Sequence, residues 1–173
     1  MMLDVAVEAD AEWDSSSGWD ALVRRAAEAA IAQSAFPQLV NSGRAVELSV
    51  RLTGDEAVRE LNVKWRGKDK ATNVLSFPMA GADELEGRAS DGASNGPELM
   101  LGDIVLAHGV CVAEAADKGI SVEDHAAHLI VHGTLHLLGL DHHDDGHADD
   151  MEAREVRALA ALGLADPYAE SAI

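Results

Sequence analysis

Seven of the eight histidines of this chain fall between residues 125 and 147. The densest stretch is His132-Gly-Thr-Leu-His136-Leu-Leu-Gly139-Leu-Asp141-His142. On a helix, His132 and His136 stand one turn apart, separated by a rise of about 6 Å and facing the same way. Two imidazoles so placed can reach one metal ion at about 2.0–2.1 Å. Gly139 lets the chain reverse without a Cβ penalty, and the turn can bring His142 back to the same ion. Three neutral imidazoles and one open position are a frequent catalytic zinc arrangement. A single histidine on an apolar helix is usually a core residue. Three at this spacing around a glycine turn read as a ligand set.

The offsets of His, His, Gly and His match the metzincin pattern, with one departure. Metzincins carry a glutamate beside the first histidine as general base, and this chain has Gly133 there. The metal cage is present and the protease's base is not. His128 lies four residues before His132, so 128/132/136 is a competing set, although only 132/136/142 uses the glycine turn. In the favoured set His128 becomes a buried or supporting residue, and Asp141 is a candidate to orient a ligand imidazole. His143 and His147 read as solvated loop residues. Asp144, Asp145, Asp149 and Asp150 read as an acidic face near a helix start.

A second feature is basic. Seven of the thirteen Lys and Arg residues lie between 44 and 70, and Lys64-Trp65-Arg66-Gly67-Lys68-Asp69-Lys70 is the core of the island. Basic groups bind phosphate and an aromatic face can stack a base, so Lys64, Trp65, Lys68 and Lys70 are candidate contacts to phosphates and a base. Arg66 suits charge developing on a phosphate. The plain alternative is a helix end whose cations complement the dipole. Thr134, Ser76 and Asp103 are weaker candidates for orienting groups.

The elements that must position these residues follow from patterning. Leu3, Val5 and Val7 alternate in a strand over 2–8, and Val46, Leu48, Val50 and Leu52 do so over 45–52. Helical spacing runs from Trp19 to about Ala35, where Pro37 stops it. Thr53 or Asp55 is placed to cap a helix running to about Trp65. A short strand over 73–78 ends at Pro78, which favours a sheet edge. The stretch 80–98, rich in glycine, serine and acidic residues, reads as a long flexible loop. Residues 99–107 are nearly all apolar, as in a strand buried on both faces. A helix over 108–117 closes at Gly119. Ser121 and Asp124 form a capping-box pattern before a helix from 122 to about 138, and a last helix spans about 148–162.

These elements make one mixed domain over 1–173. The length of 173 residues and the 47% hydrophobic content allow a real core. A net charge of −18 excludes a general polyanion binder. The single cysteine, Cys111, excludes an internal disulfide and any multi-cysteine zinc site. No apolar run approaches a membrane span, and the N-terminus lacks the basic region of a signal peptide, so the expectation is a soluble, cytoplasmic protein.

Four ordered segments resemble the YbeY family of bacterial endoribonucleases: LNVKWRGKDKATNVLSFP at 61–78, LGDIVLA at 101–107, HGTLHLLGLDH at 132–142 and ALGLADPY at 161–168. The resemblance implies an α+β, zincin-like fold: a small mixed sheet against helices, with the metal at the end of a central helix. It implies one zinc ion on His132, His136 and His142, and a functional arginine at Arg66. It implies a metal-dependent, single-strand-specific endoribonuclease in ribosomal RNA maturation, including the 3′ end of the small-subunit RNA, and in ribosome quality control. Implied partners are RNA, the small ribosomal subunit and one of its proteins, and a ribosome-assembly GTPase, with no membrane. Two departures stand out: the 80–98 loop is longer and more acidic than is typical, and −18 is an unusual charge for an RNA enzyme. Two other readings compete, a metallopeptidase or other metal hydrolase, and a non-catalytic assembly factor with structural zinc.

Overall fold

The computed structural model describes residues 2–14, 18–41, 45–81, 85, 99–139 and 145–168. Four strands form one sheet: β1 (Met2–Ala9), β2 (Ala45–Thr53), β3 (Val74–Pro78) and β4 (Leu99–Ala107), in the order β1-β2-β4-β3. β1 and β2 are parallel, with Val5 opposite Leu48, and β2 and β4 are parallel, with Val50 opposite Ile104. β3 runs antiparallel to β4 at the edge, with Leu75 opposite Val105. The sheet is therefore mixed, and the fold is α+β as the sequence implied.

Five helices cover it: α1 (Trp19–Ala32), α2 (Asp55–Arg66), α3 (His108–Lys118), α4 (Val122–Leu137) and α5 (Asp145–Ala161). The main core lies between the inward residues of the sheet and α1, α4 and α5, around Val50, Leu52, Ile104, Leu106, Ile130 and Leu135. The opposite face of β3 and β4 packs Leu75, Val105 and Ala107 against Val58 of α2 and Val110 of α3. β4 is buried on both faces for that reason. α4 is the central helix, with eleven of its sixteen residues buried. A helix that is apolar nearly all round must be enclosed, and the alanines 26, 27 and 30 of α1 let that helix approach it. Ser121 caps α4 by accepting from Asp124 N at 3.1 Å.

Three boundaries differ from the sequence expectation. α1 stops at Ala32 because the Ser34 hydroxyl donates to Ile31 O and accepts from Phe36 N, ending the helix locally. Pro37 then opens a 3₁₀ turn, Pro37–Asn41, instead of terminating a helix. The cap of α2 is Gly54. Thr53 donates instead to Asp10 Oδ2 at 2.5 Å, and the Asp55 carboxylate accepts Val110 N at the start of α3. α5 begins at Asp145, three residues early, so His147 is helical and not a loop residue. The region 82–98, apart from Leu85, lies outside the described residues, as do Asp141, His142, His143 and Asp144. Among the described residues no helix is long and apolar enough to cross a membrane.

Candidate metal centre and active site

α4 carries His128, His132 and His136 at intervals of four, so the three share one side of the helix. The rings of His132 and His136 have centroids 5.9 Å apart and planes inclined at 53°. Gly139, at φ +90°, turns the chain just past the helix toward residues 140–144. His142 and Asp141 lie in that stretch, outside the described residues. Among the described residues no group of three His, Cys, Asp or Glu side chains is gathered as a metal site.

The partner that sequence reasoning missed is Glu155 of α5, which is fully buried. Its Oε1 lies 2.5 Å from His132 Nδ1, and its Oε2 lies 3.0 Å from His128 Nε2. The Tyr168 hydroxyl donates to Oε2 as well and stands 3.3 Å from His128 Nε2. Burial alone would raise the Glu155 pKa. The hydrogen bonds from His128 and His132, the charge of His132 and the Tyr168 hydroxyl overcome it and hold the carboxyl at about 2. Burial, then the Glu155 carboxylate, push the Tyr168 phenol up, so it stays a donor. A sequence signal for Glu155 existed. Met151, Ala158 and Leu159 form the apolar stripe of α5, and Glu155 is a charge at helical spacing inside it.

This pattern sorts the histidines by chemistry. An ionised carboxylate only accepts, so the His132 nitrogen that faces it, Nδ1, is the one that donates; a neutral imidazole bonded in this way keeps its lone pair on Nε2, the form a metal takes. His128 gives Nε2 to Glu155, and its Nδ1 is buried with no hydrogen-bond partner among the described residues. Two imidazoles with one backed by a carboxylate are a donor set that fits zinc.

The basic island meets the same region from the other side of β3. Asn73 O accepts from Ala107 N and Met79 N donates to Leu101 O, so the odd-numbered residues of β3 pair with β4. The even-numbered residues turn their backbone groups to the open edge. There the Ser76 carbonyl accepts from Arg66 Nη2 at 3.3 Å, Val74 N donates to Asn73 Oδ1, and Pro78 has no N–H to give. Val74 lines a cavity of about 150 Å³ with His128 and His132, and Pro78 lines one of about 250 Å³ with His136. One strand therefore borders both Arg66 and the histidine face.

Beside Arg66, Trp65 is 62% exposed and Lys64 Nζ sits 5.1 Å from its ring centroid. Lys68 and Lys70 are exposed on a loop that Asn62 braces through Lys68 N and Lys70 O. Arg59 is different: Glu56 and Asp69 neutralise it. Two of the weaker candidates fall away from the site. The Thr134 hydroxyl donates to Ile130 O within α4 and is fully buried. Asp103 shares its strand face with Val105 and Ala107, on the side away from α4. Ser76 is buried on the α4 side, opposite Ile104, and meets Arg66 only through its carbonyl.

The family model described as Endoribonuclease YbeY matches residues 7–163. The Endoribonuclease YbeY of Rhizorhabdus wittichii is 49% identical over 168 residues, covering 97% of this chain and 98% of that one. The protein of the same name from Sphingopyxis alaskensis is 50% identical over 169 residues, covering 98% and 99%. That of Novosphingobium aromaticivorans is 49% identical over 164 residues, covering 94% of each. The solution structure of TM1509 from Thermotoga maritima shares the fold, with a TM-score of 0.54 and 18% identity over 96% of this chain and 100% of that one. With its sequence matched by that model over most of its length and by relatives at about half identity end to end, the chain belongs to the YbeY endoribonuclease family.

Proposed function

We propose that this protein is a cytoplasmic, metal-dependent endoribonuclease that cuts single-stranded RNA. Its place is ribosomal RNA maturation, including the 3′ end of the small-subunit RNA, and ribosome quality control. The chain acts as one domain over 1–173. His132, His136 and His142 hold one zinc ion, which supplies Lewis acidity and a bound water of lowered pKa. Arg66 binds the scissile phosphate and offsets the charge that builds there. Lys64, Lys68 and Lys70 engage neighbouring phosphates, and Trp65 stacks an unpaired base. Asp141 and His128 support the ligand set.

The observation that carries this reading is that β3 borders Arg66 on one side and the histidines on the other. A chain of net charge −18 repels RNA everywhere except at such a patch. It therefore relies on local contacts and on ribosomal partners, a small-subunit protein and an assembly GTPase, to bring the RNA.

The open edge of β3 next to the histidines also favours a second reading, a metallopeptidase that pairs its substrate with the strand. Arg66, Asn73 and Pro78 occupy or remove the backbone groups such a substrate needs, which weighs for RNA.

The test is incubation of metal-quantified protein with single-stranded RNA, duplex RNA and a peptide library, beside Arg66→Glu. Cleavage of the single strand alone, lost in Arg66→Glu with zinc content unchanged, is the expected result. Cleavage of peptides but not of RNA would transfer the assignment to the peptidase. No cleavage by fully metallated protein would leave a non-catalytic assembly factor.

A further inference from the structure

We infer that Glu155 is the positioning residue of His132: it holds that imidazole in the Nδ1–H form and so keeps the lone pair on Nε2, with Tyr168 locking the carboxylate. The inference rests on the reading above only for the identity of the bound ion.

The geometry assigns one oxygen to each task. Oε1 faces His132 Nδ1 at 2.5 Å, while Oε2 takes His128 Nε2 at 3.0 Å and the Tyr168 hydroxyl. Three donors from two other segments, α4 and the stretch after α5, thus engage both oxygens of one carboxylate. A fully buried charge is costly unless it is satisfied by strong, charge-assisted bonds. A leucine would serve this position of α5 as well if its only task were to pack the helix. The carboxylate instead sits where it selects a tautomer. In free histidine the Nε2–H form competes, and that form would place a hydrogen where a metal donor is needed.

The test uses the full chain as wild type, Glu155→Leu, Glu155→Gln and Tyr168→Phe, each checked for fold by circular dichroism. The first measurement is the His132 tautomer in metal-free protein, by long-range ¹H–¹⁵N correlation. The second is affinity for zinc alone, by chelator competition. Wild type is expected as Nδ1–H. Glu155→Leu is expected as a tautomer mixture with zinc bound about 10–100-fold more weakly. Glu155→Gln keeps an acceptor for Nδ1–H and is expected to stay closer to wild type. Tyr168→Phe is expected to weaken zinc by about 2–10-fold, and it carries the affinity test should Glu155→Leu fail to fold.

An Nε2–H tautomer in metal-free wild type would overturn the inference. So would equal zinc affinity in wild type and a folded Glu155→Leu. A wild type that shows Nδ1–H yet binds no zinc would uphold the positioning and overturn the metal reading instead.

Discussion

Gly133 of α4 lies directly over Ile104 of β4: a Cβ at position 133 would stand 3.1 Å from Ile104 Cδ1 and 3.2 Å from its Cγ2. The helix presses on the sheet at the residue following His132. The position that holds a general base in metzincins is here a close-packing point against the core. His132, one residue earlier on the helix, remains partly exposed and faces Glu155 and the cavity beside β3.

Installing the missing glutamate therefore does not create a peptidase. Gly133→Glu drives a carboxylate against Ile104 in a site with no room for it. The expected outcome is a loss of about 2–5 kcal/mol of unfolding free energy in urea, from overpacking and burial of an unpaired charge. No peptide cleavage is expected in whatever fraction folds. A stable Gly133→Glu protein with peptidase activity would mean that position 133 faces the histidine groove and not the sheet.

Gly102 is the stricter glycine. It sits at φ +142°, where the β2–β4 register skips Leu101, opposite Pro78 of β3. A Cβ there would sit on the Phe77 carbonyl oxygen, well inside contact, and 3.0 Å from Leu137 Cδ2. Gly102→Ala is expected to cost about 3 kcal/mol or more, combining backbone strain with a clash that no rotamer relieves. Because the clash pushes on β3, the contacts at Ser76 and Pro78 should loosen first. Hydrogen exchange at Leu75 and Phe77 should therefore accelerate more than exchange in β1, and equal acceleration in both strands would contradict this.

Much of this was legible from the chain alone, for identifiable reasons. Val46, Leu48, Val50 and Leu52 alternate because one face of β2 is buried, and Ser121 announces α4 because the cap is local chemistry. The juxtaposition of Arg66 with the histidine face was not legible. It depends on how β3 pairs with β4, a contact between segments about 30 residues apart. Glu155 was hidden for a related reason: its partners His128, His132 and Tyr168 come from α4 and from the stretch after α5. Spacing marks a charge in an apolar stripe, but only tertiary packing says that it is buried and what satisfies it. The early end of α1 turns on a single hydroxyl, Ser34, competing with the helix for Ile31 O.

Trp65 supplies a prediction about binding in place of stability. Its ring is largely exposed at the end of α2 beside Arg66 and belongs to neither buried apolar cluster of the described residues. Trp65→Ala is expected to leave the unfolding free energy within about 0.5 kcal/mol. If the ring stacks one base, single-stranded RNA should bind about 5–100-fold more weakly, with duplex binding unchanged. Fluorescence anisotropy with a labelled oligonucleotide at fixed salt measures it. Equal single-strand affinity in both proteins would remove Trp65 from the RNA surface.

His125 ties pH to stability through a second network, in which the imidazole is buried and its carboxylate partner is half-buried. Its Nε2 lies 2.8 Å from Glu114 Oε1, which also accepts from Asn73 Nδ2 at 2.9 Å. Burial lowers the His125 pKa, the Glu114 hydrogen bond opposes it, and the Lys118 charge adds to the lowering, so the net shift is downward. The His128 ring meets the same ring edge-on, with centroids 6.1 Å apart, and pushes its pKa the same way. The folded imidazole is therefore neutral where the unfolded one takes a proton, near its ordinary value of about 6.5. Its contribution is complete above that pH and is lost as pH falls toward the folded pKa. Burial alone would raise Glu114, but the bonds from His125 and Asn73 win and hold it below the usual carboxylate range. The Glu114 contribution is present above about 4.5 and is lost as pH falls further. Both groups thus make the protein weaker in acid, in two successive windows. His125→Gln cannot titrate. Measured in metal-free protein by urea unfolding, it should be less stable than wild type at pH 7.5, and the gap should narrow steadily toward pH 5. A gap that stays constant across that range would mean that His125 keeps the same protonation in the folded and unfolded chains.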